Sequence, residues 1–139
     1  MGCVIQNMTP EHYDEMIELW NRIEGVGLSD ADSRDGVIAY LIRNPGLSLV
    51  ATDKGMIIGA VLCGHDGRRG YLHHLAVVPE RRGEGIGKAL VSECLSRLGR
   101  LGIRKCNAFV FADNDDGLGF WKSAGWAQRA DLTVIQGLT

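Results

Sequence analysis

The stretch Val77-Val78-Pro79-Glu80-Arg81-Arg82-Gly83-Glu84-Gly85-Ile86-Gly87-Lys88 decides how this sequence is interpreted. An apolar run ends at Pro79, three glycines follow within five residues, and a periodic apolar segment begins at Ile86. Glycines let the backbone turn sharply and approach a ligand closely. The first turn of a helix offers N–H groups without helical partners at the positive end of the helix dipole. The pattern therefore predicts a buried strand, a glycine-rich turn and a helix whose start binds an anion, best a phosphate.

Spacing excludes the two commonest phosphate-binding loops. A P-loop needs GxxxxGK followed by Ser or Thr, whereas here Arg82 occupies the first glycine position and Ala89 follows Lys88. The dinucleotide fingerprint GxGxxG fails because Lys88 stands where its third glycine belongs. Neither ATP nor a nicotinamide dinucleotide is favoured as the ligand. Arg81, Arg82 and Lys88 add positive charge around the turn.

Hydrophobic periodicity places the other elements around this turn. It predicts a first helix that begins at Thr9-Pro10 and further helices over 33–43, 85–101 and 114–124. It predicts strands over 47–52, 56–63, 71–78, 105–111 and 127–135. His12 occupies the position where a capping box has Glu, so we expect the box at the first helix to be incomplete. Asp53-Lys54-Gly55 favours a tight hairpin. The order predicts an α/β fold (a mixed α+β sheet) that is mostly antiparallel, flanked by helices, with a crossover after the central strand.

Length and composition indicate one globular domain, residues 1–139. The chain is 45% hydrophobic and 23% charged, and it contains no apolar run of the roughly 20 residues that cross a bilayer. No secretory signal is visible at the start, so we expect a cytoplasmic protein that does not use a membrane. The four cysteines lack any metal-ligand spacing, so no metal and no disulfide framework are expected. A net charge of −2 argues against nucleic acid as a partner.

The acidic residues are concentrated in the first third of the chain. Asp30, Asp32 and Asp35 close this segment. One interpretation is a site for a cationic acceptor beside an anionic cofactor. The other is a solvated acidic helix face.

Two motifs together resemble the GNAT superfamily of N-acetyltransferases. Arg82, Gly85 and Gly87 fill the fixed positions of the Arg/Gln-x-x-Gly-x-Gly/Ala core of that superfamily. Further on, Asn114, Gly117, Phe120-Trp121 and Gly125-Trp126 resemble its Asn-x-x-Ala-x-x-Leu-Tyr-x-x-x-Gly-Phe helix, in the expected order and spacing. The resemblance implies the GNAT acyl-CoA fold and an acetyl-CoA-dependent N-acetyltransferase. The alternative is a non-catalytic acyl-CoA-binding module or sensor on the same fold.

The resemblance also implies roles for individual residues. The backbone of the turn would hold the coenzyme A pyrophosphate, the end of the central strand would pair with the pantetheine arm and stabilise the oxyanion, and an asparagine would contact the cofactor from the neighbouring side. These cofactor-binding residues are Arg82, Gly83, Glu84, Gly85, Ile86, Gly87 and Lys88 in the turn, Leu75, Ala76 and Val77 in the strand, and Asn114.

His73 is the candidate general base. It lies two residues before Leu75, where several family members carry a glutamate, and an imidazole accepts a proton near neutral pH. In an ideal strand His74 points to the opposite face, although a bulge would break this alternation. Tyr71 and Glu24 are weaker candidates. The alternative is that both histidines are hydrogen-bonded packing residues.

The sequence departs from the family pattern at Trp121. Many members place a tyrosine here as the proton donor to the leaving thiolate, and an indole N–H cannot release a proton usefully. The resemblance implies that the acceptor is a primary amine of a small molecule, a peptide or a protein, and nothing in the sequence selects among them. A homodimer is one option for the oligomeric state.

Overall fold

The computed structural model describes residues 2–139, which divide into two compact units, residues 2–109 and Val110–Thr139. Each unit is described by itself. The elements of the first unit are β1 (Val4–Asn7), α1 (Tyr13–Arg22), α2 (Arg34–Arg43), β2 (Leu49–Asp53), β3 (Met56–His65), β4 (Gly70–Val77), α3 (Ile86–Arg100) and β5 (Cys106–Ala108). The second unit contains α4 (Asp115–Ser123).

The first unit is built on a five-stranded sheet in the order β1-β2-β3-β4-β5. Strands β1 to β4 pair antiparallel with their sequence neighbours, and β5 pairs parallel with β4 after the crossover through α3. Lys54 and Gly55 both have positive φ, +52° and +78°, as a two-residue type I′ hairpin between β2 and β3 requires. The predicted mixed, mostly antiparallel sheet is confirmed. Strand β1 was not predicted, because its four residues, Val-Ile-Gln-Asn, carry too short an alternation.

The start of the first helix corrects one expectation. A 3₁₀ turn, Pro10–His12, precedes α1, and the backbone N–H of Thr9 donates to Nδ1 of His12 at 2.9 Å. The imidazole thus accepts the hydrogen bond that a glutamate accepts in the usual capping box. The expectation of an incomplete box is wrong because a neutral imidazole also carries a free lone pair.

The core of the first unit occupies both faces of the sheet. Gly59 and Gly64 are five positions apart on β3 and therefore face opposite sides. Gly59 faces Ile86 and Leu90 of α3, with a hypothetical Cβ 3.2 Å from each side chain. On the other side, α1 and α2 cover a cluster of buried residues that comprises Met8, Met16, Leu19, Trp20, Val37, Val50, Ile57, Ala60, Leu62 and Ala76. No helix within residues 2–139 is long and apolar enough to cross a bilayer.

The second unit corrects the last predicted strand. Residues 127–135 form no strand, and Leu132, Val134 and Ile135 are 63%, 67% and 88% exposed. Strand pairing needs a partner for the backbone groups, and the structure gives this segment none. Strand β5 is also shorter than predicted, Cys106–Ala108 instead of 105–111. Helix α4 is confirmed close to its predicted bounds.

Candidate functional site

A bulge in β4 shapes the centre of the sheet. Ala60 pairs with Ala76 and Leu62 pairs with His73, so that His74 and Leu75 together lie opposite a single residue of β3. His74 has a φ of +55°, a left-handed conformation that is rare in non-glycine residues. An extra residue of this kind breaks the inward and outward alternation of a strand.

The bulge turns both histidine rings toward the helices α1 and α2. The His73 ring lies 6.2 Å from Tyr40 of α2, and the His74 ring lies 5.2 Å from Trp20 of α1, measured between ring centroids. The two imidazoles are 6.5 Å apart. The alternation of an ideal strand, which would put His74 on the opposite face, is therefore broken here, and the bulge considered in the sequence analysis is the reason.

The same bulge leaves one edge of β4 open. Pairing between β4 and β5 covers only Gly70–Leu72, and within residues 2–109 no strand pairs with the later part of that edge. The N–H of Val78 donates to the carbonyl of Ile58 on β3 at 2.9 Å. Because successive residues alternate, the N–H of Ala76 also faces β3 and that of Val77 faces the open edge. Among the residues predicted to meet a pantetheine arm, Val77 therefore directs its backbone donor to the open edge, whereas Ala76 directs its donor to β3.

The glycine-rich turn leads from this edge into α3. After a 3₁₀ turn, Pro79–Arg81, Gly83 and Gly85 have φ of +81° and +83°, and α3 begins at Ile86. The Ile86 side chain is buried at 1% exposure and anchors the helix start to the core. A Cβ on Gly83 or Gly85 would meet no atom of the described residues within 4 Å, so the space in front of the turn is open.

The N–H groups at the start of α3 are unpaired. The first hydrogen bond of the helix runs from the N–H of Ala89 to the carbonyl of Gly85 at 3.0 Å. The preceding N–H groups, those of Ile86, Gly87 and Lys88, donate to no acceptor in the described part of the chain. Three such donors at the positive end of a 15-residue helix are able to bind an anion.

Side-chain charge around the turn differs from the prediction at Arg81. Its guanidinium donates to Asp53 at 2.8 Å and to Glu84 at 2.9 Å, and these carboxylates raise the pKa of Arg81. The charge of Arg81 is therefore shared with two carboxylates, and it offsets the negative charge that Glu84 would otherwise present to a diphosphate. Arg82 and Lys88 are exposed and make no ion pair within residues 2–139.

His73 lies among aromatic side chains at the point where β4 and β5 separate. Its ring is parallel to that of Tyr71 at 6.3 Å, and Phe109 lies 6.0 Å away. Burial lowers the pKa of His73 below its usual value, His74 lowers it further, and Asp32 acts in the opposite direction. The imidazole is therefore neutral at neutral pH and can accept a proton.

A cavity of about 240 Å³ opens beside His73. Its lining combines aromatic walls with a polar rim and comprises Tyr40, Arg43, Asn44, Gly64, His65, Asp66, Tyr71 and His73. Burial raises the pKa of Tyr40 well above its usual value, so its hydroxyl stays protonated. Asp66 accepts hydrogen bonds from the N–H groups of Arg68 and Arg69, which lower the pKa of its carboxyl and keep it charged.

Three side chains beside the bulge carry no local sequence signal: Asp32, Trp20 and Tyr40. Asp32 is 7% exposed, and its Oδ1 lies 2.9 Å from Nε2 of His74, a residue 42 positions away. The three aspartates Asp30, Asp32 and Asp35 therefore do not form a single exposed cluster, because Asp30 and Asp35 are exposed whereas Asp32 is buried. Of the weaker base candidates, Tyr71 stacks on His73 whereas Glu24 is exposed.

In the second unit, Asn114 begins α4. Its Oδ1 accepts a hydrogen bond from the N–H of Gly117 at 3.0 Å, an N-cap interaction. A role toward a cofactor stays a prediction for this residue. The Trp121 indole packs against Trp126 with ring centroids 4.4 Å apart.

Comparisons with known proteins agree on one family. The model of the acetyltransferase (GNAT) family matches residues 13–126. Acetyltransferase SG1711 of Sodalis glossinidius is 35% identical over 125 residues, which cover 90% of this chain and 87% of that protein.

Solved structures show the same fold. The aminoglycoside 6′-N-acetyltransferase AAC(6′)-IG of Acinetobacter haemolyticus superposes with a TM-score of 0.80 at 16% identity, over 98% of this chain and 99% of the other. The PaiA N-acetyltransferase of Thermoplasma acidophilum, solved in complex with coenzyme A, superposes with a TM-score of 0.74 at 21% identity, over 88% of each chain.

Proposed function

The chain belongs to the GNAT family of acetyltransferases, and we propose that it transfers the acetyl group of acetyl-CoA to a primary amine by direct attack of the amine on the thioester. The observation that carries this proposal is the unpaired start of α3. Within residues 2–139 the N–H groups of Ile86, Gly87 and Lys88 have no acceptor, and open space lies in front of Gly83 and Gly85. Backbone donors in open space at a helix start fit a diphosphate.

The glycine-rich turn and strand β4 bind different parts of acetyl-CoA in this proposal. In this proposal the backbone of residues 82–88 holds the pyrophosphate, and the exposed side chains of Arg82 and Lys88 add charge. The open edge of β4 faces the pantetheine arm with the N–H of Val77, and Leu75 and Ala76 flank it. Acetyl-CoA supplies a thioester carbonyl, whose oxygen gains negative charge when an amine attacks its carbon.

His73 is the proton acceptor in this proposal. An amine with a pKa near 10 is mostly protonated at neutral pH and has no lone pair until a proton leaves. The neutral imidazole of His73 takes that proton from its place on the wall of the cavity. The cavity, in turn, receives the acceptor, because it is the space of the first unit that borders His73.

The leaving thiolate needs no acid on α4. Trp121 stands at the position where the family pattern has tyrosine, and its indole does not release a proton. A thiol with a pKa near 8.5 leaves as a thiolate at neutral pH at little cost. We therefore assign Trp121 to packing against Trp126 and leave protonation of coenzyme A to water.

The acceptor class is broad at this stage: the amine of a small molecule, of a peptide or of a protein. A 240 Å³ cavity takes an amine of modest size or the end of a longer chain. The proposal also assigns the activity to a single domain, residues 1–139, of a cytoplasmic protein. A homodimer is one option for its oligomeric state.

Thiol release tests the proposed reaction. Acetyl-CoA is incubated with polyamines, aminoglycosides, amino acids or peptide N-termini, and free coenzyme A is measured for the wild type and for His73→Gln. We expect release with at least one amine, and a loss of kcat in His73→Gln at unchanged affinity for acetyl-CoA. Tight binding of acetyl-CoA without release on any amine would support the non-catalytic module instead.

A further inference from the structure

A buried polar clamp holds the residue at the centre of the β4 bulge. Nε2 of His74 lies 2.9 Å from Oδ1 of Asp32, and the two side chains are only 17% and 7% exposed. A carboxylate only accepts hydrogen bonds, so Nε2 of His74 carries the proton that lies between them. On the other side, the indole N–H of Trp20 donates to the backbone carbonyl of His74 at 3.0 Å. His74 is thus fixed through its ring and through its main chain.

Asp32 is itself fixed by two further hydrogen bonds. Its Oδ2 accepts from the N–H of Ser29 at 2.9 Å, and its backbone carbonyl accepts from the hydroxyl of Tyr13 at 2.6 Å. These contacts belong to a 3₁₀ turn, Asp30–Asp32, that precedes α2. The N–H of Ser29 thus holds the carboxylate itself, whereas Tyr13 of α1 holds only the main chain of the turn. The direction of the carboxylate toward His74 therefore does not depend on the Tyr13 hydroxyl.

The clamped conformation is one that the chain would not adopt unaided. A left-handed φ is unfavourable for a non-glycine residue and persists where the surrounding contacts determine it. His74 has this φ between His73, the proposed base, and Leu75 at the start of the open edge. A change in the backbone at His74 moves both of these neighbours, because they are bonded to it directly.

We propose that Asp32 is a positioning residue for acetyl transfer: through the His74 imidazole it holds the β4 bulge, and with it the His73 ring and the open strand edge, in the reactive arrangement. The proposal rests on the proposed function, since it assigns Asp32 to the same site. Asp32 touches neither donor nor acceptor in this account. Its effect appears in the rate of transfer, whereas the pyrophosphate turn, residues 82–88, lies outside the clamp.

The test compares Asp32→Asn with Tyr13→Phe. Tyr13→Phe removes a hydrogen bond to the same turn but leaves the bond between Asp32 and His74 in place, so it is the matched control for a structural effect. We expect Asp32→Asn to lower kcat about 10- to 100-fold, the range that a misplacement of about 1 Å produces. We expect the dissociation constant for coenzyme A to change by less than about twofold, and Tyr13→Phe to keep kcat near that of the wild type at a comparable loss of stability.

Variants of His74 distinguish positioning from proton transfer. His74→Gln keeps an N–H that can reach Asp32 but does not titrate, whereas His74→Ala removes the clamp. Positioning predicts that His74→Gln retains most of kcat and His74→Ala does not. The indole N–H resonance of Trp20 should shift in Asp32→Asn and His74→Ala and stay in place in His74→Gln.

Two results would overturn the inference in an active enzyme: wild-type kcat in folded Asp32→Asn, or equal losses in Asp32→Asn and Tyr13→Phe. A loss of activity in His74→Gln equal to that in His74→Ala would replace positioning by proton transfer. Failure of the proposed function is distinct, because the wild type itself would then release no thiol with any amine.

Discussion

Replacement of Gly85 by alanine should destabilise the protein by an amount that the backbone alone determines. Gly85 has φ +83° and ψ +9°, and a Cβ there would meet no atom within 4 Å, so steric contacts contribute nothing. The left-handed conformation costs alanine roughly 1–2 kcal/mol. Alanine also reduces the conformational freedom of the unfolded chain, which stabilises the folded variant by about 0.4–1 kcal/mol. We therefore expect the free energy of unfolding of Gly85→Ala to fall by about 0.5–1.5 kcal/mol in urea denaturation.

Gly99→Ala is the matched control on the same helix. Gly99 lies within α3 and also has no atom within 4 Å of a Cβ, but its φ is not positive. The same substitution should therefore stabilise the protein by about 0.5–1 kcal/mol, through helix propensity. We therefore expect the free energy of unfolding to fall in Gly85→Ala and to rise in Gly99→Ala. A stabilising Gly85→Ala, or equal changes in both, would refute a left-handed start of α3.

Two further predictions concern the cavity and His73. Because burial lowers the pKa of His73, the acid limb of kcat against pH should have its midpoint below pH 6.5. The neutral imidazole persists as the pH falls to 6.5, and it is lost only as the pH falls through the lowered pKa. Loss of this limb in His73→Gln is expected, and an unchanged profile would remove His73 from the mechanism. Gly64→Ala places a Cβ 2.7 Å from the Asn44 side chain and closer still to the Tyr40 hydroxyl. We expect this variant to lower the free energy of unfolding by about 1–3 kcal/mol. It should also raise KM for the amine but not for acetyl-CoA. A KM that rises equally for both substrates would contradict the assignment of the cavity to the acceptor.

The sequence predicts best the features that depend on local chemistry. The strand that ends before Pro79, the turn through Gly85 and the start of α3 can be predicted because positive φ, free N–H groups and apolar periodicity each depend on particular residue types. The type I′ hairpin at Lys54-Gly55 is readable for the same reason. His12 shows the limit of such a rule, because an imidazole accepts the hydrogen bond that the pattern reserves for a carboxylate.

Features that arise from long-range contacts were not predictable. The direction of His74 follows from one extra residue in the pairing of β4 with β3, and no residue type marks that position. The partnership of Asp32 with His74 spans 42 positions and depends on where the fold places the turn before α2. The strand expected over 127–135 had the right alternation but, in the structure, lacks a pairing partner, and alternation alone does not supply one.

Calorimetric titration with coenzyme A tests most directly whether the start of α3 grips a diphosphate. Gly85→Glu puts a carboxylate into the open space before the free N–H groups, and Gly99→Glu adds the same charge about 20 Å away along the same helix. The account predicts that folded Gly85→Glu has no measurable affinity while Gly99→Glu binds like the wild type. Wild-type affinity in folded Gly85→Glu would contradict it.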